Sequence, residues 1–133
     1  PRPLRRIASG GELSRALLGT KRVLAGIGPV GTYVFDEVDS GVGGAVADAI
    51  GRKLAEVARH HQVLCITHLP QIAAFGAAHL VVSKEVAEGR TASRLRRLEV
   101  PDRVEELARM LGGRRVTDAA RGAAQALLEQ SGR

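Results

Sequence analysis

The sequence of 133 residues holds no tryptophan, one cysteine, one tyrosine and two phenylalanines. Tyr33, Phe35 and Phe75 as the aromatic side chains argue against a surface that stacks single-stranded bases on rings, while attraction to backbone phosphate remains open. A lone Cys65 excludes an internal disulfide, and His60, His61, His68 and His79 form no cluster with zinc spacing. No stretch approaches the roughly 20 apolar residues of a membrane-spanning helix, and no signal-peptide order opens the chain, so a cytoplasmic protein with no membrane partner is expected. Lysine is scarce as well: Lys21, Lys53 and Lys84 stand among 20 basic residues, which outnumber 14 acids to give a net charge of +6. That arginine-rich excess fits either a solvated surface or a phosphate-facing one.

What is present follows an α/β order. Pro1 to Arg6 is a basic, proline-punctuated lead-in. Leu13, Ala16, Leu17, Val23 and Leu24 share a helical face, with Arg15, Lys21 and Arg22 opposite, predicting a helix over Leu13–Leu24. Thr32-Tyr33-Val34-Phe35 predicts a short strand, and its lack of polar alternation suits burial on both faces in a parallel sheet. Gly41, Gly43 and Gly44 mark a loop, and Val46, Ile50, Leu54 and Val57 repeat at helical spacing. Val63-Leu64-Cys65-Ile66 predicts the next strand, and Leu69 to Phe75 a short helix with Pro70 in its first turn. Leu80–Val82 and Ser93–Val100 predict a hairpin about Glu88-Gly89-Arg90. Helices are expected at Asp102–Leu111, with Asp102 and Glu105 in capping positions and Gly112-Gly113 beyond, and at Thr117–Gln130.

In open α/β sheets, ligands bind beyond the carboxyl ends of the strands. Here those ends carry Asp36-Glu37 and Thr67-His68. An Asp at such an end can hold Mg²⁺ through water, and the next residue, pointing to the other face, can orient or deprotonate a water. The same pair can equally just end a strand and begin a turn. Ser9-Gly10-Gly11-Glu12 precedes a helix, where backbone N–H groups and the helix N-terminus favour phosphate; Ser9 and Glu12 also match a capping box, which needs no ligand. His68 can read a phosphate oxygen or be a satisfied strand-end histidine. Cys65 reads as a buried small hydrophobe. Ser14, Ser40 and Ser83 sit in no G-x-S-x-G elbow, so serine hydrolysis has no support.

The combination is more specific than its parts. Ser9-Gly10-Gly11-Glu12, then Phe35-Asp36-Glu37-Val38-Asp39-Ser40-Gly41, then Cys65-Ile66-Thr67-His68 occur in that order. This resembles the C-terminal half of an ABC-type ATPase head, with Ser9 to Glu12 like the signature motif, Asp36-Glu37 like Walker B, Asp39 like the D-loop and His68 like the switch histidine. The wording around Ile7–Arg15, Phe35–Gly41, Thr67–Ala73 and Arg103–Gly113 is similar to the RecN family of bacterial double-strand-break repair proteins, related to the SMC group. The likeness runs from Pro3 to about Leu128.

The resemblance implies an α/β fold: the C-terminal lobe of an ABC-type P-loop ATPase head, with short parallel strands, flanking helices, a hairpin and terminal helices. It implies ATP as substrate and Mg²⁺ held through water by Asp36, with Glu37 polarising the attacking water and His68 contacting the γ-phosphate. Ser9, Gly10, Gly11 and Glu12 would serve the nucleotide of a second head in a homodimer, and Asp39 would link the two sites. DNA is the implied partner of the whole protein, at the nucleoid. A G-x-x-x-x-G-K-[ST] loop is missing: Gly19-Thr20-Lys21 lacks its glycines and spacing. Residues 1–133 therefore read as a partial head whose Walker A half and coiled coil lie elsewhere, inactive alone. The alternative is a non-catalytic module that docks on a head domain or on DNA.

Overall fold

The computed structural model describes residues 31–36, 38–39, 41–87, 90–113 and 115–132. The predicted helix over Leu13–Leu24, the Ser9–Glu12 motif, Glu37 and the tip residues Glu88-Gly89 lie outside the described residues. The rest forms two compact units that divide after Phe75.

In the first unit, β1 (Thr32–Phe35) and β2 (Gln62–Cys65) pair in parallel, with Thr32 opposite Gln62 and Phe35 opposite Cys65. The ladder runs one bond past each end, from Gln62 N–H to Gly31 O and from Ile66 N–H to Phe35 O, both at 2.9 Å. Between the strands runs α1 (Gly44–Val57), and after β2 comes the single turn α2 (Pro70–Ala73) with its proline in the first turn. Ala47, Ile50 and Leu54 of α1 meet Ile72 of α2 in a buried core, against which Phe35, Val63 and Cys65 pack. Full burial of an isoleucine such as Ile50 contributes about 1.5–3 kcal/mol. Gly51 lets the helix approach Phe75 closely: a Cβ at that position would lie 2.4 Å from the ring.

The expectation that these strands are buried on both faces is corrected. Period-two alternation turns Phe35, Val63 and Cys65 toward the helices, while Val34, Leu64 and Ile66 stay 65%, 45% and 61% exposed. An all-apolar run answers to two covered faces, and among the described residues only one is covered by helices. Cys65, read as buried, is only half-buried.

In the second unit, β3 (Leu80–Ala87) and β4 (Arg90–Arg97) form an antiparallel hairpin with Leu80 opposite Arg97 and Ala87 opposite Arg90. Strand β3 runs past the predicted Leu80–Val82, because Ser83, Lys84 and Glu85 extend the ladder on solvated ground, and β4 lies three residues ahead of the predicted Ser93–Val100, whose last residue opens the next helix. Leu98, just past the end of β4, is buried at 6% exposed, and its N–H carries the pairing one bond further by donating to His79 O at 2.8 Å. Then come α3 (Val100–Gly112) and α4 (Asp118–Gln130), which pack on each other and bury Leu107, Ala108, Ala124 and Leu128. Helix α3 starts two residues before the predicted Asp102, since Pro101 fits a first turn. Its N-cap is Glu99, so Asp102 and Glu105 do not cap; they pair with Arg96 and Arg121. Gly113, at φ 74°, takes the left-handed step that ends α3, and Thr117 Oγ1 accepts from Ala120 N–H at 3.2 Å to start α4.

Candidate nucleotide site at the carboxyl edge of the parallel strands

The site begins with register. Because Phe35 and Cys65 end their strands side by side, the residues that follow each strand emerge at one edge of the sheet. Asp36 is exposed there and makes no hydrogen bond or ion pair with another described residue. The chain then turns: Val42 N–H donates to Asp39 O at 3.2 Å, and Gly41 sits at φ 76°, a left-handed conformation that a glycine adopts without strain.

That turn drives Asp39 inward until it is 3% exposed. One oxygen, Oδ2, then collects the loop after β2. It accepts from Thr67 Oγ1 at 2.5 Å and from His68 N–H at 2.7 Å, and His68 Nδ1 lies 3.0 Å away. Thr67 Oγ1 accepts in turn from Leu69 N–H at 3.0 Å, at the entry to α2. Burial alone would raise the Asp39 pKa. The Thr67 hydroxyl, backbone N–H groups and the His68 ring outweigh it and hold the carboxyl below its ordinary value. Burial, and secondarily the Asp39 charge, push the nearby Cys65 thiol up to about 11.

The result is a buried carboxylate beneath an exposed imidazole: the His68 side chain is 75% accessible. The structure thus brings together Asp39, Thr67 and His68, and sets Asp36 on the same edge. Ser9, Gly10, Gly11, Glu12 and Glu37 lie outside the described residues. The Asp39 carboxylate bonds within its own chain, to Thr67 and His68. Thr67 was read only as the residue before His68. Its signal was available: a threonine two residues ahead of a Leu-Pro helix start is placed for a hydroxyl-to-backbone bond at i+2. His60 is exposed beyond α1, and His61 packs edge-on against Tyr33 at 5.0 Å between ring centroids.

As for metal, the described residues contain no group of three or more His, Cys, Asp or Glu side chains that could hold an ion. An exposed carboxylate such as Asp36 still fits Mg²⁺, which keeps several waters and takes one or two carboxylates together with substrate phosphates. No helix among the described residues is long and apolar enough to cross a membrane.

No protein-family profile matches the chain. Among solved structures, one from work on ATP-driven dimerization and DNA-stimulated activation of SMC ATPases superposes with a TM-score of 0.60 at 16% identity, covering 83% of this chain and 65% of that one. The fold is therefore similar to part of that SMC ATPase structure. Sequence similarity narrows this further. The DNA repair protein RecN of Xylella fastidiosa (strain 9a5c) is 52% identical over 130 residues, 98% of this chain and 23% of the relative. RecN of Bacillus subtilis (strain 168) is 46% identical over 128 residues, and that of Mycobacterium leprae 54% over 127, each across 96% of this chain. The chain is homologous to the C-terminal part of RecN and spans less than a quarter of the length of these relatives.

Proposed function

We propose that this chain forms the C-terminal half of an ATP-hydrolysing head in a RecN-like protein of recombinational double-strand-break repair. The observation that carries the reading is the shared edge: two parallel strands deliver Asp36 and the Thr67-His68 pair to one side, in a chain 52% identical to a DNA repair protein over 98% of its length. Asp36 would hold Mg²⁺ through its water shell. When bound, that ion neutralises charge on the transferred phosphoryl group. Glu37 orients the attacking water, and His68 meets the γ-phosphate. Ser9, Gly10, Gly11 and Glu12 serve nucleotide carried by a second copy, so hydrolysis depends on two heads engaging, and DNA is the partner of the assembled protein. Positioning and charge neutralisation supply most of phosphoryl-transfer catalysis, and these residues fit those tasks. Nothing in the fold or the similarities favours a non-catalytic docking module.

No phosphate-cradling G-x-x-x-x-G-K-[ST] loop occurs in the 133 residues, so the chain by itself is expected to be inactive. The test is ATP turnover by the chain alone and after mixing with a polypeptide that supplies such a loop, with Glu37 intact and as Glu37→Gln. Turnover only in the mixture, lowered by orders of magnitude in Glu37→Gln while ATP still binds, is the expected result. A folded, associated mixture that stays silent, or a Glu37→Gln variant that turns over normally, would overturn the reading.

A further inference from the structure

We propose that Asp39 and Thr67 are positioning residues for His68, fixing which nitrogen of its imidazole meets an anionic phosphate. The inference rests on the phosphate-contacting role proposed above for His68, and adds the device that aims it.

The chemistry is one of donors and acceptors. An ionised carboxylate can only accept, so Nδ1, 3.0 Å from Asp39 Oδ2, must carry the proton. The hydrogen bond made by one ring nitrogen determines what the other can do. With Nδ1–H engaged, Nε2 is the nitrogen left to a ligand, and it meets a phosphate oxygen as a donor in the imidazolium, which carries a proton on both nitrogens; the ring is 75% exposed to receive one. A histidine this exposed would otherwise sample several rotamers and both tautomers.

Asp39 could perform this task only if it were itself immobile. Its burial to 3% exposure secures that, and Thr67 completes it. The hydroxyl donates to Oδ2 at 2.5 Å and accepts from Leu69 N–H at 3.0 Å, tying the carboxylate to the entry of α2. The backbone N–H of His68 adds a bond of 2.7 Å to the same oxygen. Main chain and ring of His68 are therefore both referred to one atom, which belongs to the loop after the Asp36-Glu37 strand. A shift of either loop moves the imidazole relative to the other. Partners of this kind, which orient a functional group without touching substrate, typically carry 10- to 100-fold effects on removal.

The experiment has two arms. In the chain labelled with ¹⁵N-histidine, the ring-nitrogen shifts of His68 report its tautomer directly, without any nucleotide. Wild type is expected to show a proton fixed on Nδ1, and Asp39→Asn and Thr67→Val to show averaging or the opposite tautomer. Identical ring spectra in wild type and Asp39→Asn would overturn the proposal. Should Asp39→Asn fail to fold, Thr67→Val decides the question, with Thr67→Ser, which keeps the hydroxyl, expected to restore the wild-type pattern.

The second arm measures turnover in the reconstituted head. Asp39→Asn and Thr67→Val are expected to lower kcat roughly 10- to 100-fold with KM little changed. In a background of His68→Ala they are expected to add nothing, since residues acting through one group are not additive. Losses that multiply in the double variant would show that Asp39 acts elsewhere. If His68→Ala itself leaves turnover intact, the phosphate role of His68 falls, while the ring spectra still judge the positioning device separately.

Discussion

Among the described residues each unit buries one charged side chain, Asp39 in the first and Arg103 in the second, and the two groups are satisfied differently. The first buries one carboxylate, Asp39, and satisfies a single oxygen with the Thr67 hydroxyl, the His68 N–H and the His68 ring. The second buries Arg103, whose guanidinium donates to the Gly76 carbonyl at 2.7 Å, and pairs other arginines at the surface. Arg94 pairs with Glu85, Arg96 with Asp102, Arg109 with Glu106, and Arg121 with both Glu105 and Asp118, the arginine side chains being 43–70% exposed. Exposed pairs of this kind are screened and contribute little each, whereas a buried group left unsatisfied costs a full desolvation penalty. The comparison separates two uses of polar residues: one fixes a loop geometry at a candidate site, the other keeps a helical surface solvated.

The largest expected effects lie where the units are alike. Ile50 and Leu107 are the largest fully buried side chains, one in each unit. Ile50→Ala and Leu107→Ala should each lower unfolding free energy by about 2–5 kcal/mol, read from urea midpoints at constant slope. A change under 1 kcal/mol at either would mean that its unit is not held by this core.

Smaller, and confined to the first unit, is Gly51→Ala. Alanine would favour the helix by roughly 0.5–1 kcal/mol, but its Cβ would fall 2.4 Å from the Phe75 ring. Overpacking of that sort costs about 1–3 kcal/mol, so net destabilisation is expected, reversed when Phe75→Leu removes the ring. A Gly51→Ala chain more stable than wild type would show that the ring moves freely.

The contrast itself is tested by pH. Asp39 has its folded pKa depressed, so its contribution to stability is complete above the ordinary Asp value of about 3.9 and is lost as pH falls through the folded value. A stability titration from pH 6 downward should therefore lose less in Asp39→Asn than in wild type. The smallest effect belongs to the second unit: Arg121→Ala, which removes two exposed ion pairs, should leave the melting midpoint unchanged.

Much of this was legible before the coordinates. Helical spacing at Val46, Ile50 and Leu54 and the β-prone run ending at Phe35 announced a strand, a helix and a parallel partner, and the Asp36 and His68 ends announced a common edge. The failures have physical causes. Apolar strand residues report that a face wants cover and do not say whether the cover is in the chain, hence the exposed Val34, Leu64 and Ile66. Strand β4 is rich in arginine, and local apolarity could not mark its start at Arg90, where pairing alone decides. At the site, the resemblance implies that Asp39 links two sites, and says nothing of its bonds within the chain. Only three dimensions reveal a threonine and a histidine 28 and 29 residues away closing on its Oδ2.

Cys65 offers an experimental handle of a different kind. Its thiol is pushed up to about 11, so at neutral pH almost none of it is thiolate, the form that alkylating reagents attack. The native chain should therefore be nearly inert to maleimide dyes, and a cysteine introduced at an exposed position would take the label alone. Fluorophores for following head engagement can then be attached one at a time, without first deleting a side chain that packs against the core.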